Sequence, residues 1–470
     1  MSDKTRGQTL KDELFYKKQS AFEKKTAAEL EEAKTYAAGY VKWLDQSKTE
    51  REAVNASVAM LEEAGYRPYK IGDPVKAGDR LYLNNRGKSL FAVHVGTEPI
   101  ENGARICAAH IDSPRLDLKQ HPLYENDGFA YIKTHYYGGV RKYQWVTIPL
   151  ALHGVVVKKN GEVTDVKIGD EPGDPVFCIS DLLPHLAKDQ NGRPLGQAFT
   201  GEGLNVIFGT SPFFEEDGTL TPADEKAKLN VMIMLNEKYG ITEADFMSAE
   251  LSIVPAQNSV DVGLDRWLIG SYGHDDRVCA YPALTALLEA ETAERTCIAV
   301  LADKEEIGSD GVSGMQCVLL ADILDELAKN LGGNPNVVRA HSMCLSADVT
   351  AGYDPNYPEV YEKRNSSLIH AGVGLSKYTG SGGKGGTNDA SAEVVACVRE
   401  IFDEAGVVWQ TAELGKVDQG GGGTVAKYIA NHNIETVDIG VPVLSMHAPF
   451  ELISKSDLYE AHRAFAAFCK

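Results

Sequence analysis

Hydrophobic and polar positions in the first quarter of the chain follow first a helical and then a strand-like period. Residues 10–47 and 51–63 have high helical propensity and few breakers, so they predict two helices. Two short alternating runs, 80–83 and 90–95, are joined by Asn-Asn-Arg-Gly and predict a hairpin. A compact apolar run at 104–109 predicts a buried strand.

The pattern changes at about residue 116. Clusters of Pro, Gly and Tyr interrupt alternating strands, and an Asn-Gly pair separates the runs 155–159 and 163–168, which indicates a second hairpin. Residues 171–218 are rich in Pro and Gly and predict loops. The middle of the chain is therefore predicted to be mostly β-structure.

After about residue 251, strands and helices alternate. The predicted strands are 296–301, 342–347, 407–411 and 436–444, and the predicted helices are 279–291, 316–331, 389–404 and 457–468. Alternation of this kind favours an α/β fold with a mostly parallel sheet flanked by helices.

A chain of 470 residues is too long for one hydrophobic core. The simplest organisation is one α/β domain built from both ends of the chain, residues 1–116 and 253–470. A mostly-β domain, residues 117–252, would be inserted between them.

Composition restricts the classes of partner. Hydrophobic residues make up 43% and charged residues 24%, which is typical of a globular protein. The 47 basic and 67 acidic residues give a net charge of −20, which argues against nucleic acid and anionic membrane as partners. The N-terminal sequence lacks an apolar signal region, and the eight cysteines form no C-x-x-C pair, so we expect a cytoplasmic protein with reduced thiols.

Residues of metal-ligand type follow four of the predicted strands. Parallel strands place their carboxyl ends at one edge of a sheet, where functional crevices form, so these side chains can converge. They are His110 with Asp112, Glu305 with Glu306, Asp348, and His447. A further candidate, Asp275, opens the helix predicted after Gly273.

Each of these residues also has an ordinary structural explanation. A histidine at a strand end commonly bonds a loop, the Glu305-Glu306 pair fits a solvated turn, and Asp275 fits a helix N-cap. Asp348, however, follows a strand too apolar to be exposed, where an unpaired charge costs several kcal/mol in order of magnitude. Two histidines with several carboxylates form a donor set suited to two borderline divalent metals.

Two glycine clusters need a separate interpretation. Residues 380–385 contain G-x-G-x-x-G but lack the strand–turn–helix setting that gives this motif its meaning, so nucleotide binding is disfavoured. The more economical interpretation is a flexible loop that borders a site. Residues 420–423 predict a tight loop before a helix, where the backbone N–H groups near Gly423 could meet a substrate.

Five segments together resemble the aspartyl aminopeptidase family, which includes vacuolar aminopeptidase I. They read AAHIDSPRLDLK, GHDDRVCAYPALTALLE, LADKEEIGSDG, SADVTAGYDPNYPEVYE and MHAPFELISKSDLYEA. The resemblance implies a zinc-peptidase α/β domain with an inserted β domain used for dimerisation, and dimers that assemble into a tetrahedral dodecamer.

The resemblance also implies roles for individual residues. One zinc would be held by His110, Asp275 and Asp348, and the other by Asp275, Glu306 and His447. Asp276, rather than Asp275, would bridge the metals if the alignment shifts by one. Glu305 would be the general base, Asp112 would orient the ligands, and His185, in the segment LLPHLA, would reach the active site of the dimer partner.

The implied activity is removal of the N-terminal residue from unblocked peptides by water activated at two zinc ions, with Co²⁺ or Mn²⁺ as possible replacements. The family name implies an acidic N-terminal residue, for which Lys384 and Lys377 are candidate cations, but a neutral residue such as Leu stays open. Two rivals also stay open: a related cocatalytic zinc amidohydrolase or deacylase, and a non-catalytic assembly protein. Retention of Glu305 and every proposed ligand argues against the second rival.

Overall fold

A computed structural model describes residues 4–470, so the first three residues of the unit predicted as 1–116 lie outside it. Its largest element is a nine-stranded sheet, here called the central sheet. In spatial order its strands are Arg67–Pro68, Arg80–Asn85, Ser89–His94, Cys297–Ala302, Arg105–His110, Met343–Ala347, Glu435–Gly440, Val373–Ser376 and Trp409–Thr411.

The middle of the central sheet is parallel. Arg105–His110 lies between Cys297–Ala302 and Met343–Ala347, and Glu435–Gly440 continues the parallel array. Antiparallel pairs occur towards the edges, including the confirmed hairpin of Arg80–Asn85 with Ser89–His94. The mixed α/β class with a mostly parallel sheet is therefore confirmed.

Helices cover both faces of the central sheet. Successive residues of one strand enter different cores, because Cys107 and Ala109 pack on one face and Ile106 and Ala108 on the other. Burial on both faces explains the nearly continuous apolar strands. The α-helices are Arg6–Leu14, Ala21–Lys24, Ala27–Asp45, Glu50–Glu63, Lys188–Asn191, Leu195–Ala198, Lys226–Tyr239, His274–Glu289, Leu319–Leu331, Pro335–His341, Ala392–Glu404, Ala426–Ala430 and Lys455–Phe468.

A separate six-stranded antiparallel sheet, here called the insert sheet, has its own hydrophobic core. In spatial order its strands are Val163–Ile168, Leu150–Val157, Ala249–Pro255, Arg115–Asn126, Phe129–Tyr137 and Val206–Gly209. The helix Lys226–Tyr239, which the sequence analysis missed, packs on this sheet through Ala227, Val231 and Leu235. The boundaries 117 and 252 stay a prediction; the strands of the insert sheet extend slightly beyond both.

A third sheet of five strands adjoins the central one. Its strands are Val260–Val262, Leu268–Ser271, Glu451–Ser454, Pro442–Leu444 and Thr350–Ala351. The single strand predicted at 436–444 is wrong, because the chain passes from the central sheet to the third sheet at Gly440. A Cβ atom at Gly440 would lie 2.0 Å from the Asp348 carbonyl oxygen, so the crossing requires glycine.

The continuous helix predicted at 10–47 is also wrong. Two breaks divide it, and a new helix starts after Ser20 and again after Thr26. Each of these residues forms a capping box with the glutamate three positions later, which satisfies backbone N–H groups at a helix start. Within residues 4–470, no helix combines the length and the apolar character needed to cross a membrane.

Candidate active site

The register of the central sheet brings three candidate segments to one edge. His110 is paired with Ala302, so the segment 303–306 leaves the sheet beside it. On the other side, Ala108 is paired with Ser346, which places Asp348 level with His110. The parallel arrangement therefore explains how residues about two hundred positions apart converge.

His110 is buried among carboxylates. Its Nε2 lies 3.2 Å from Asp275 Oδ1, 3.6 Å from Asp348 Oδ1 and 4.0 Å from Glu305 Oε2. Its Nδ1 lies 3.0 Å from the Asp112 carbonyl oxygen, which can only accept a hydrogen bond. Nδ1 therefore donates, and the Nε2 lone pair of the neutral ring is directed at the acidic group.

Asp275 lies between the two histidines. Its Oδ1 faces His110, while its Oδ2 lies 3.1 Å from His447 Nε2. Its backbone N–H donates to Glu451 Oε2 at 3.1 Å. Although burial raises the pKa of Asp275, the two histidines lower it below the usual value. Each carboxylate oxygen of Asp275 thus faces a different imidazole.

Asp276 has different surroundings. Its Oδ2 accepts the backbone N–H of His110 at 3.3 Å, and its side chain is fully buried. Burial, followed by the negative charge of Asp348, raises its pKa well above the usual value. Asp276 therefore supports the strand that carries His110, whereas Asp275 faces both histidines.

His447 follows a strand of the third sheet, in a turn where its φ is +66°. Its backbone N–H donates to Glu451 Oε1 at 2.7 Å, so Glu451 holds both His447 and Asp275. Its Nε2 lies 3.5 Å from Glu306 Oε1. Its Nδ1 lies 3.1 Å from the Gly139 carbonyl oxygen, and the same tautomer argument directs the Nε2 lone pair inward.

Asp112 anchors the two neighbouring glutamates. Its Oδ1 accepts the backbone N–H of Glu305 at 3.1 Å, and its Oδ2 accepts that of Glu306 at 3.2 Å. The hydroxyl of Tyr137 also donates to Oδ2, at 2.8 Å. This buried carboxylate therefore fixes the turn that presents both glutamates.

Several buried polar atoms at this centre have no hydrogen-bond partner in the described residues. They are His110 Nε2, Asp275 Oδ1, Asp276 Oδ1 and Glu306 Oε1. Buried polar atoms normally have hydrogen-bond partners, so a cluster of unpaired nitrogen and oxygen atoms indicates a binding site for a cation. One imidazole and two carboxylates meet in each of the groups His110–Asp275–Glu306 and His110–Glu305–Asp348. Nitrogen and oxygen donors in this combination fit zinc.

Charges at the centre perturb one another strongly. Burial, followed by the negative charge of Asp348, raises the pKa of Glu305 to about 8. Burial and Asp275 raise the pKa of Glu306 well above its usual value. Burial lowers the pKa of His447, but Asp275 raises it more, to about 11. The raised pKa values of both the carboxyl groups and the histidine have one cause, an excess of buried negative charge. Bound cations would compensate this charge.

A cavity of about 410 Å³ opens onto this centre. One wall is formed by Tyr378, Thr379 and the glycine segment Gly421–Gly423. The two glycine-rich loops touch each other, because a Cβ atom at Gly421 would lie 1.8 Å from the Gly380 carbonyl oxygen. The site thus combines a donor cluster with a pocket large enough for an amino-acid side chain.

Comparison with known proteins identifies the family. Residues 43–469 match the family described as Aminopeptidase I zinc metalloprotease (M18). The chain belongs to the M18 family. It is therefore a metalloaminopeptidase of a zinc-dependent family, as the sequence resemblance predicted.

Relatives of this M18 enzyme match it over nearly the whole chain. A probable M18 family aminopeptidase 1 from Clostridium acetobutylicum is 45% identical over 465 residues, covering 97% of this chain and 99% of the relative. The crystal structure of an M18 aminopeptidase from Thermotoga maritima is 42% identical, with a TM-score of 0.91 over 97% of this chain and 100% of that one. The S. cerevisiae mApe1 dodecamer shares the fold, with a TM-score of 0.74 at 21% identity, over 92% of this chain and 96% of that one.

The structure gathers most of the site residues predicted for this M18 enzyme and leaves others apart. His110, Asp112, Asp275, Glu305, Glu306, Asp348 and His447 meet at the centre, and Gly423 lines its cavity. Lys377 and Lys384 are half exposed and both pair with Asp389, at 2.8 and 3.2 Å. His185 is exposed on a loop and is not among the residues that line the cavity.

Sequence analysis missed several residues that touch the centre or its cavity. Glu451 and Tyr137 hold metal-site residues, and Lys427 and Asp438 line the cavity. Asp438 Oδ1 accepts the Thr424 hydroxyl at 2.7 Å, and burial raises the pKa of Asp438 to about 7. Asp438 lies inside a predicted buried strand, and a charged residue in such a strand indicates a functional or structural role. No feature of the sequence distinguishes Lys427 in this way.

Proposed function

We propose that this M18 enzyme is a dinuclear zinc aminopeptidase that removes the N-terminal residue of unblocked peptides. His110, Asp275 and Asp348 would hold one zinc, and Asp275, Glu306 and His447 the other. The observation that carries the proposal is the position of Asp275, with one carboxylate oxygen towards each histidine. Co²⁺ and Mn²⁺ accept the same donors and are expected as substitutes.

Bound zinc would supply Lewis acidity and lower the pKa of a coordinated water towards neutrality. Glu305 is placed to take a proton from the attacking water, since its carboxylate lies at the metal-facing side of His110. The same carboxyl group then returns the proton to the departing amine, so water is divided between the two products. Asp112 keeps Glu305 in place by accepting its backbone N–H.

The restriction to N-terminal residues is expected to follow from the metal site. Three carboxylates that line the cavity, Asp275, Glu306 and Asp348, are proposed zinc ligands, so bound zinc would offset their negative charge. A free α-amino group could then bind a zinc ion through its nitrogen lone pair, which the amide nitrogen of an N-acetylated peptide does not offer. We therefore expect exopeptidase action on free N-termini only.

Acidic N-terminal residues are the preferred substrates in this proposal, and neutral residues such as Leu are the alternative. Lys384 and Lys377 are the cations proposed from sequence, and the structure adds Lys427. Within residues 4–470, Lys427 is the only lysine or arginine that lines the cavity. Its ammonium lies beside both glycine loops, 4.0 Å from where a Cβ atom of Gly386 or of Gly423 would be.

The three lysines can be separated by substitution with methionine. Lys427→Met is expected to lower kcat/KM for Asp- and Glu-nitroanilides at least tenfold while leaving Leu-nitroanilide unchanged. Lys377→Met and Lys384→Met serve as matched comparisons, since both lysines are half exposed and share one ion-pair partner, Asp389. Faster cleavage of Leu than of Asp or Glu by the unaltered enzyme would reject acidic preference altogether.

Self-assembly is the second part of the proposal. The exposed loop around His185 carries the exposed apolar residues Leu182, Leu183 and Leu186, and exposed apolar clusters are typical of interaction surfaces. We propose that this loop of the insert contacts a second copy, that His185 enters the partner's active site, and that dimers build a dodecamer. The dodecamer of S. cerevisiae mApe1, which shares the fold, supports this arrangement.

A cytoplasmic location completes the proposal and rests on the eight cysteines, all of which are free thiols. The activity itself is tested with paired peptides that differ only in N-terminal acetylation. Cleavage of the free peptide, loss of activity with a zinc chelator and recovery with zinc are expected. Cleavage of the acetylated peptide, with removal of its acyl group, would instead favour a deacylase.

A further inference from the structure

Three consecutive residues that leave the insert sheet touch three residues of the metal site. Tyr137 donates its hydroxyl to Asp112 Oδ2 at 2.8 Å. The carbonyl oxygen of Gly139 lies 3.1 Å from His447 Nδ1. Between them, Gly138 lies against Glu306. This stretch, residues 137–139, is here called the strap.

The strap reaches the metal site by virtue of its glycines. Gly138 has a φ of +73°, and a Cβ atom there would lie 3.0 Å from Glu306 Oε2 and 3.2 Å from Glu306 Cβ. A Cβ atom at Gly139 would lie 3.0 Å from His447 Nδ1. Any side chain at these positions would therefore push directly against a proposed zinc ligand.

We propose that the strap positions the zinc ligands, so that the insert sheet organises the metal site of its own chain. Tyr137 and Gly139 are the positioning residues. The inference rests on the proposed zinc site but goes beyond it, because it makes the insert necessary for metal affinity within one chain.

A second contact holds the Tyr137 side chain. The ring is packed against the Arg115 guanidinium, 4.1 Å from the ring centroid, which fixes the direction of the hydroxyl. Its acceptor, Asp112, also holds the backbone of Glu305 and Glu306. Loss of the hydroxyl therefore loosens the acceptor that orders both glutamates, without removing any donor atom from the metal.

The Gly139 contact selects the form of His447. A carbonyl oxygen can only accept, so it keeps the proton on Nδ1 and leaves Nε2 free, where it faces Asp275 and Glu306. Partners of this kind set the tautomer and the orientation of metal-bound histidines, and their loss typically reduces metal affinity or activity about 10- to 100-fold.

Tyr137→Phe tests the inference, with Tyr136→Phe as the matched control. Tyr136 precedes it on the same strand, but its ring is partly exposed and packs near Gly201 rather than at the metal site. We expect Tyr137→Phe to weaken zinc binding, measured by competition with a fluorescent chelator, about 10- to 100-fold. The zinc-loaded variant should lose kcat with KM changed less than twofold, and Tyr136→Phe should match the unaltered enzyme.

A second pair of variants guards against a simple folding defect. Gly138→Ala places a methyl group against Glu306, whereas Gly128→Ala, in the same hairpin with a φ of +79°, meets nothing within 4 Å. Both substitutions carry similar backbone strain, so only the strap variant should lose zinc affinity. The melting temperature of the zinc-free proteins measures any general destabilisation.

The outcomes separate this inference from the proposed function. Unchanged zinc affinity in both Tyr137→Phe and Gly138→Ala would overturn the strap as a positioning element, although the zinc site would stand. A lowered melting temperature with unchanged affinity would overturn it too. Failure of the unaltered enzyme to bind zinc would instead contradict the proposed function.

Discussion

Two regions border the same cavity and are built differently. At the edge of the central sheet, several proposed ligands are held by a second residue, as Asp112 holds the Glu305–Glu306 turn and Glu451 holds Asp275 and His447. In the glycine loops opposite, Lys377 and Lys384 are half exposed and share one ion-pair partner, Asp389. The proposed chemistry thus lies with groups that neighbouring residues hold in place, whereas the two lysines proposed from sequence for substrate choice are half exposed.

The largest expected effect concerns the residues at the edge of the central sheet. Glu305→Gln preserves the shape of the side chain but cannot take a proton, so kcat should fall about 100- to 10,000-fold while zinc content stays unchanged. Measurement of kcat checks the loss of turnover, and elemental analysis checks that the zinc content is unchanged. Retained aminopeptidase activity would remove Glu305 from the role of base.

His447→Ala should disturb the same region by weakening metal binding rather than proton transfer. Its removal takes away a proposed ligand and leaves Asp275 Oδ2 without its imidazole neighbour, so zinc content should fall and activity with it. For zinc content alone, His185→Ala is the comparison and should match the unaltered enzyme, because that histidine is exposed and lies outside the cavity lining of its own chain. An unchanged zinc content in His447→Ala would contradict the ligand assignment.

The glycine loops should respond with a moderate effect of a different kind. Gly421→Ala would force the two loops apart, since its Cβ atom would lie 1.8 Å from the Gly380 carbonyl oxygen at a φ of +116°. We expect KM to rise about tenfold with zinc content unchanged. Gly383→Ala, where a Cβ atom meets nothing within 4 Å, should behave like the unaltered enzyme. Loss of zinc in Gly421→Ala would contradict the assignment of metal binding to the sheet edge and substrate binding to the glycine loops.

The smallest expected effect concerns stability. Burial raises the pKa of Asp438 to about 7, from about 4 in an unfolded chain, so the folded state prefers the protonated form. The stability this confers is complete below the unfolded pKa and is lost as the pH rises through 7. Asp438→Asn should therefore gain in melting temperature relative to the unaltered protein between pH 5 and pH 8. A difference independent of pH would argue against a buried, titrating Asp438.

The contrast between the two regions also explains which site residues could be predicted from the sequence. The sheet-edge residues could be predicted because parallel strands end at one edge, and the observed register gathers His110, Glu305 and Asp348 there. His447 also reaches the centre, but from the third sheet, since Gly440 lets the chain cross between sheets. That crossing depends on a contact with the Asp348 backbone that no local pattern encodes.

Residues that act through a single tertiary contact were not predictable. Tyr137 looks like one of several aromatic residues in a β-rich segment, and only the fold brings its hydroxyl to Asp112. Lys427 follows the glycine loop on a short helix, with no periodicity to set it apart from Lys377 or Lys384. Long-range packing decides which lysine faces the cavity.

The proposed bridge of Asp275 between two zinc ions can be examined by a zinc titration of the metal-free enzyme. Activity followed against added zinc should reach its maximum only after two equivalents per chain, and Asp275→Asn should lose tight binding of both. Full activity after one equivalent, or an Asp275→Asn variant that keeps two tightly bound zinc ions, would contradict the account.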